Sequence, residues 1–250
     1  MQVSIATILW GKTADQDELG KVLTDIKKIG FDGVGFETRF LPGMLMKEPR
    51  KLVEIVEDAG LKNAGSYSSM KPEDIEWAAK SGTPLLWLVV RRQKKIAEAI
   101  RELSKFAKLA NDASVIPALH NHLGTCFETM EQIDQALEKV DGLKLCYDTA
   151  HAEAVGIDQH EFIRKYNKNI ALVHLKDLRK KGPKSRVSFT KDFVNVGSGI
   201  VDFQKVMSAL TEFKYDGPMM LELDAAVGKT PGKLAREGFS RLNKLTLKTR

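Results

Sequence analysis

Short, continuously apolar runs alternate with segments of helical period along the whole of this 250-residue chain, and that alternation is what most restricts its fold. The runs cover residues 3–9, 33–37, 61–66, 84–90, 114–120, 143–148, 170–174 and 218–222. Between them the apolar residues fall on one helical face: Leu19, Val22, Leu23 and Ile26 within 15–29, and Ile96, Ile100, Leu103, Ala107 and Ala110 within 93–110. Gly30 closes the first of these helices, as a glycine at a helix end does. Further helices are expected over 44–59, 72–79 (opened by Pro72), 128–139, 159–166 and 202–213, with a last helical stretch at the C-terminus. Strands that are apolar on both faces belong to a parallel sheet covered on both sides.

Eight such strand–helix units imply an α/β fold, a single (β/α)8 TIM barrel spanning residues 1–250, a length ordinary for that architecture. An open doubly wound sheet is the alternative, but no Gly-x-Gly-x-x-Gly follows the first strand. A hydrophobic content of 43% and a charged content of 29% are those of a soluble globular chain. The net charge of +6 is scattered over helix faces (Lys94, Lys95, Arg101, Lys105, Lys108) rather than gathered in a stripe, so no nucleic-acid partner is expected. No apolar window is long enough for a membrane helix, and no signal peptide is visible at the start. Two cysteines, Cys126 and Cys146, without Cys-x-x-Cys spacing, fit a reducing cytoplasm. A homo-oligomer is possible, although no exposed apolar stripe argues for one.

Four consecutive later strands end in groups that bind metals. These endings are His120-Asn121-His122, Tyr147-Asp148-Thr149-Ala150-His151, His174-Leu175-Lys176-Asp177 and Glu222-Leu223-Asp224. A lone strand-end histidine is usually a hydrogen-bonded structural residue. Four polar endings after buried apolar runs are another matter, because buried carboxylates need partners. His120, Asp148, His174 and Glu222 are therefore expected to converge on one divalent ion at the barrel mouth, where such barrels carry their reactive groups. A mixed nitrogen and oxygen set suits Mn, Co, Fe or Zn better than Mg, and the sequence does not choose among the four. Glu37, ending the second strand, is a candidate for a sugar hydroxyl or for pairing with Arg39. Arg91 and Arg92 could hold a phosphate or simply be solvated, His160 reads as a surface residue and Asp158 as a helix cap.

The runs Leu119-His-Asn-His-Leu-Gly-Thr125, Tyr147-Asp-Thr-Ala-His151, Val173-His-Leu-Lys-Asp177, Phe193-Val-Asn-Val-Gly-Ser-Gly-Ile-Val-Asp-Phe203 and Tyr215-Asp-Gly-Pro-Met-Met-Leu-Glu-Leu-Asp224 together resemble the xylose-isomerase-like barrel superfamily. That superfamily includes inosose dehydratase, keto-sugar 3-epimerases, hydroxypyruvate isomerase and endonuclease IV, and the similarity is greatest to inosose dehydratase-like proteins. The resemblance implies one divalent metal held at His120, Asp148, His174 and Glu222. It also implies a departure, since His120 stands where the isomerases and epimerases carry a glutamate that serves in acid/base chemistry. The endonuclease branch needs further histidines at strand ends where this chain has Ser66-Tyr67 and Arg91-Arg92.

The implied activity is that of a metal-dependent sugar isomerase, epimerase or dehydratase that removes a proton next to the carbonyl of a keto-sugar or keto-cyclitol. Glu222 is the expected ligand and base, His122 or His120 moves a second proton, and Lys176 and His151 bind substrate oxygens with Lys176 also stabilising the enolate. Glu37 and Arg39 would bind the substrate as well. The long irregular segment 178–200, with Gly182, Pro183, Gly197 and Gly199, is expected to close over the site on Gly197 and Gly199 as hinges. The competing expectation is a drifted barrel that binds a sugar or a partner without turnover.

Overall fold

The computed structural model describes residues 2–91, 95–180, 182 and 187–248, with side chains described to residue 245. Arg92, the expected helix start at Gln93, and Pro183 lie outside the described residues. Parallel strands β1 (Val3–Ala6), β2 (Gly33–Phe36), β3 (Lys62–Ser68), β4 (Leu85–Leu88), β5 (Ile116–His120), β6 (Lys144–Asp148) and β7 (Ile170–Leu175) each pair with the next. Two short strands follow, β8 (Asp177–Leu178) and β9 (Phe193–Val194), which pair antiparallel to each other. Then β10 (Met219–Leu221) pairs with β7 and β1 and closes the barrel.

The helices around the barrel are α1 (Gln16–Ile29), α2 (Gly43–Lys47), α3 (Arg50–Asp58), α4 (Pro72–Lys80), α5 (Ile96–Asp112), α6 (Met130–Lys139), α7 (Thr149–Val155), α8 (Gln159–Tyr166), α9 (Phe189–Asp192), α10 (Phe203–Glu212) and α11 (Pro231–Lys248). Their ends are chemically marked. Asp15 caps α1 by accepting from Glu18 N–H, and Gly30 ends it at φ 116°, a value open to glycine alone at little cost. Thr129 and Gln132 form a reciprocal capping box on α6, and Asp158 caps α8 as its sequence position implies.

Three elements depart from the expected boundaries. The helix expected over 44–59 breaks into α2 and α3, because Pro49 excludes its predecessor Glu48 from helical backbone (φ −122°, ψ 64°). The first strand stops at Ala6 and turns through a 3-10 segment, Thr7–Trp10, that its β-branched composition conceals. Helix α7 starts directly on Asp148 and escapes a search for helical period, because Thr149, Ala150, His151 and Ala152 are all buried.

The core has two parts. Between sheet and helices lies the larger one, with Leu23, Ile26, Phe31, Leu103 and Phe162 fully or almost fully buried. Inside the barrel, Trp87, Leu172 and Met220 interdigitate with the small residues Ala6, Ala64, Ala118 and Cys146. That inner plug forms the floor on which the polar strand ends stand, so the barrel is a packed support rather than a channel.

Candidate metal centre

The register of the sheet gathers the polar strand ends. His120 lies opposite Cys146, and Asp148 lies opposite His174, which in turn pairs with Met220 one step before the end of β10. His120 Nε2 stands 3.5 Å from Asp148 Oδ2, and His174 Nδ1 lies in close ion-pair contact with Glu222 Oε2. Asp148, His174 and Glu222 donor atoms fall within 4.8 Å of one another, as do those of His120, Asp148 and His151. Both ring nitrogens of His120 and of His174, together with Asp148 Oδ2 and Glu222 Oε2, are buried and make no hydrogen bond among the described residues. Buried polar atoms are rarely left in that condition.

Neighbouring groups aim Asp148 and tie the strand ends together. Asp148 caps α7, its Oδ1 accepting from the N–H groups of Ala150 (2.8 Å) and His151 (2.9 Å), so Oδ2 is the oxygen left for the site. Asn121 links the ends of β5 and β6 by donating to the Asp148 carbonyl and accepting from its N–H. Thr149 does the same for Lys176, accepting from its N–H and donating to its carbonyl.

Lys176 is 1% exposed, and its Nζ lies 2.9 Å from Glu222 Oε1, 3.1 Å from Asp224 Oδ2 and 3.7 Å from Asp148 Oδ2. Burial favours the neutral lysine, but these three carboxylates outweigh it and hold the ammonium well above its usual range. The reverse holds for the carboxylates. Burial pushes Glu222 and Asp148 up, yet Lys176 with His174 for the one, and Lys176 with His120 for the other, keep both below their ordinary values. For Asp224 burial prevails and its carboxyl is raised.

A cavity of about 430 Å³ opens above this cluster, bounded by Glu37, Arg39, Trp87, His120, His122 and Glu222. Glu37 is buried, and burial pushes its carboxyl up to about 7 although the Arg39 guanidinium, 2.9 Å away, pulls it down. His122 Nδ1–H donates to the Leu123 carbonyl (2.8 Å), and burial lowers its pKa to about 4, so its ring is neutral near pH 7. His151 sits behind it, 4.0 Å away between ring centroids, where its Nδ1 accepts from Leu123 N–H and burial keeps it neutral. It does not line the cavity, and neither does Lys176.

The connection after β7 contributes Phe189 and Phe193, stacked on each other with centroids 5.3 Å apart; Phe189 meets the edge of His122, and Phe193 that of His151. Its expected hinge at Gly199 is corrected by the structure. Asp177 accepts from the N–H groups of Leu178, Gly199 and Val201, and a Cβ on Gly199 would overlap the Leu178 carbonyl oxygen, so Gly199 is a point of close approach at a pinned base. His160 stands apart on the surface, paired with Glu212. Asn121, Thr149 and Phe189 join the site without having been given a role from the sequence, and Asp224, expected only as the partner of Glu222 at the strand end, also contacts Lys176. Asn121 and Thr149 stand within the polar endings, and Phe189 lies in the 178–200 segment expected to close over the site, although the residue itself carried no signal.

The xylose isomerase-like TIM barrel family profile matches residues 73–245. The chain belongs to that family. Among curated proteins it is 35% identical over 133 residues to the inosose dehydratase of Clostridium tetani (strain Massachusetts / E88), covering 49% of this chain and 45% of that protein. The chain thus matches about half the length of such relatives. Among solved structures, L-ribulose 3-epimerase superposes with a TM-score of 0.81 at 18% identity, over 100% of this chain and 96% of the other. The IOLI protein with a binding zinc atom superposes with a TM-score of 0.82 at 18% identity, over 100% and 99%. These two likenesses establish the shared barrel. No helix among the described residues is long and apolar enough to cross a membrane.

Proposed function

We propose that this barrel is a divalent-metal-dependent lyase or isomerase acting on a keto-cyclitol or keto-sugar by removing a proton next to the carbonyl. The observation that carries the reading is the set of buried donor atoms of His120, Asp148, His174 and Glu222, without hydrogen bonds among the described residues, with His120 and Glu222 lining a cavity large enough for a sugar ring. The inosose dehydratase similarity and the epimerase-like barrel support the same class. The donor set fits a transition metal, for two imidazoles and two carboxylates are a Mn, Co, Fe or Zn set.

When bound there, the ion supplies Lewis-acid polarisation of the substrate oxygen next to the acidic carbon. The chain's own groups divide the remaining work. Glu222, held ionised by Lys176 and His174, accepts the carbon-bound proton. Lys176 offsets the negative charge that develops on the substrate oxygen. Glu37, whose carboxyl burial pushes up to about 7 at the cavity wall, is suited to deliver a proton to a departing β-hydroxyl, which leaves as water as its C–O bond breaks; returning a proton to carbon gives isomerisation instead. His122 orients hydroxyls through its free ring nitrogen, and Arg39 holds Glu37 in place.

The test is solvent deuterium exchange into inososes and ketohexoses, followed by proton NMR with Mn²⁺, Co²⁺ or Zn²⁺ and again with chelator. Metal-dependent loss of one C–H signal, abolished in Glu222→Gln, is the expected result. Metal binding without exchange into any substrate would leave the binding subunit as the better account.

A further inference from the structure

The sequence reading used Cys146 only to infer a redox compartment, yet the sheet places it inside the donor cluster. Cys146 is the direct register partner of His120, and it is two residues deeper in β6 than Asp148. Its side chain belongs to the barrel's inner plug and is fully buried beside Ala6, Ala118, Leu172 and Met220. A sulfur in that plug would need no explanation if it met only hydrocarbon. Instead Cys146 Sγ and ring nitrogens of His120 and His174 lie within 4.8 Å of one another, all buried, and neither imidazole makes a hydrogen bond through either nitrogen among the described residues.

The cluster therefore offers two overlapping ligand sets that share His174 and both draw on β6 and β7. One is Asp148, His174 and Glu222, rich in oxygen and nearer the mouth. The other is His120, Cys146 and His174, with a soft sulfur. Thiolate with imidazole selects zinc-like and cuprous ions, while carboxylate favours harder ones.

We propose that His120, Cys146 and His174 form a soft-metal position deeper in the barrel than the carboxylates, and that thiophilic divalent ions settle there with Cys146 as a ligand. Binding forms a metal–sulfur bond as the thiol proton leaves to solvent. The inference rests on the metal-centre reading above and deepens it, because it makes the identity of the ion decide where in the cluster the ion sits. A hard ion such as Mn²⁺ stays with Asp148 and Glu222. A soft one is drawn toward Cys146, further from the substrate cavity.

The test is titration of the full-length chain with Co²⁺ under reducing conditions, read by absorption spectroscopy and by metal content. The expected result is a near-ultraviolet thiolate-to-cobalt charge-transfer band in the wild-type chain, lost in Cys146→Ser and retained in Cys126→Ser. Zn²⁺ added afterwards should bleach the band, and Mn²⁺ should do so poorly. Cys146→Ala serves the same purpose if the buried serine impairs folding, which circular dichroism reports. Bound cobalt without the band, or a band that survives removal of Cys146, overturns this inference and leaves the carboxylate site standing. No cobalt bound by the wild-type chain overturns both.

Discussion

Replacing Lys176 by Met tests the charge logic of the site most directly. Its ammonium lies 2.9, 3.1 and 3.7 Å from Glu222, Asp224 and Asp148, and it is buried. Methionine keeps most of the volume and removes the charge. Breaking a buried pair by deleting one partner costs about 3–5 kcal/mol, which for a domain of this size lowers the melting temperature by roughly 6–20 °C at about 2–4 °C per kcal/mol. The loss is expected at neutral pH in chelator. It should shrink in acid, because Glu222 and Asp148 have folded-state pKa values below their unfolded ones: the stability they bring with Lys176 is present above the unfolded values, near 4, and vanishes as pH falls through the folded ones.

A bound divalent ion reverses the sign of the comparison. Lys176 repels any cation placed among these carboxylates, so Lys176→Met should bind Co²⁺ or Zn²⁺ more tightly, by about tenfold or more, equivalent to ~1.4 kcal/mol. Saturating metal should then restore most of the lost stability. Lys176→Arg, which keeps the charge, should melt closer to the wild type. The assay is thermal and denaturant unfolding of the three chains in chelator and in excess metal, with calorimetry for affinity. An equal loss of stability with and without metal, or weaker metal binding by Lys176→Met, would refute the view that lysine and metal neutralise the same carboxylates.

Other expected outcomes follow from single contacts. Arg39→Leu removes the cation 2.9 Å from Glu37 and should lift that carboxyl above its value of about 7; the folded state then keeps its proton to higher pH, which carboxyl NMR reads directly. Gly199→Ala forces a methyl against the Leu178 carbonyl and should cost about 1–3 kcal/mol, with faster hydrogen exchange confined to the connection after β7. Asn121→Leu uncouples the ends of β5 and β6 and removes the acceptor of the Asp148 N–H; it should destabilise the chain by about 1–3 kcal/mol and weaken metal binding in calorimetry. His120→Glu should strengthen binding of Mn²⁺ relative to Zn²⁺, since it adds a hard oxygen and removes an imidazole.

The barrel was legible because its evidence is redundant: eight apolar runs, each bounded by a helical period, agree with one another, and an error at any one boundary leaves the count intact. The strand ends were legible because a parallel strand that is apolar throughout and then turns to Asp, Glu or His reveals its mouth. What escaped is what depends on three dimensions. Asp224 was seen as Glu222's neighbour but not as a partner of Lys176, 48 residues earlier in the chain. Cys146 passed as core because a buried sulfur looks apolar in sequence, and only the strand register sets it against His120. Phe189 lies in a segment with no period to read, and Gly199 reads as a hinge until the Asp177 carboxylate is seen to hold its N–H.

The imidazole at His120, where isomerases of this kind would carry a carboxylate, has a physical rationale in the lysine two strands away. Asp148, Glu222 and Asp224 bring three negative charges into one buried cluster, and Lys176 returns one positive. A divalent ion would balance the remainder, so the loaded site would be neutral and could be buried without a large penalty. A carboxylate at position 120 would leave it one charge short, next to the developing negative charge of an enolate. Burial raises Asp224, and Cys146 and Glu222 raise His174 against the opposing effect of its own burial. His120, whose own burial lowers it, stays neutral and keeps a lone pair for the ion. The imidazole at 120 and the lysine at 176 are thus two halves of one charge balance that a divalent ion would complete.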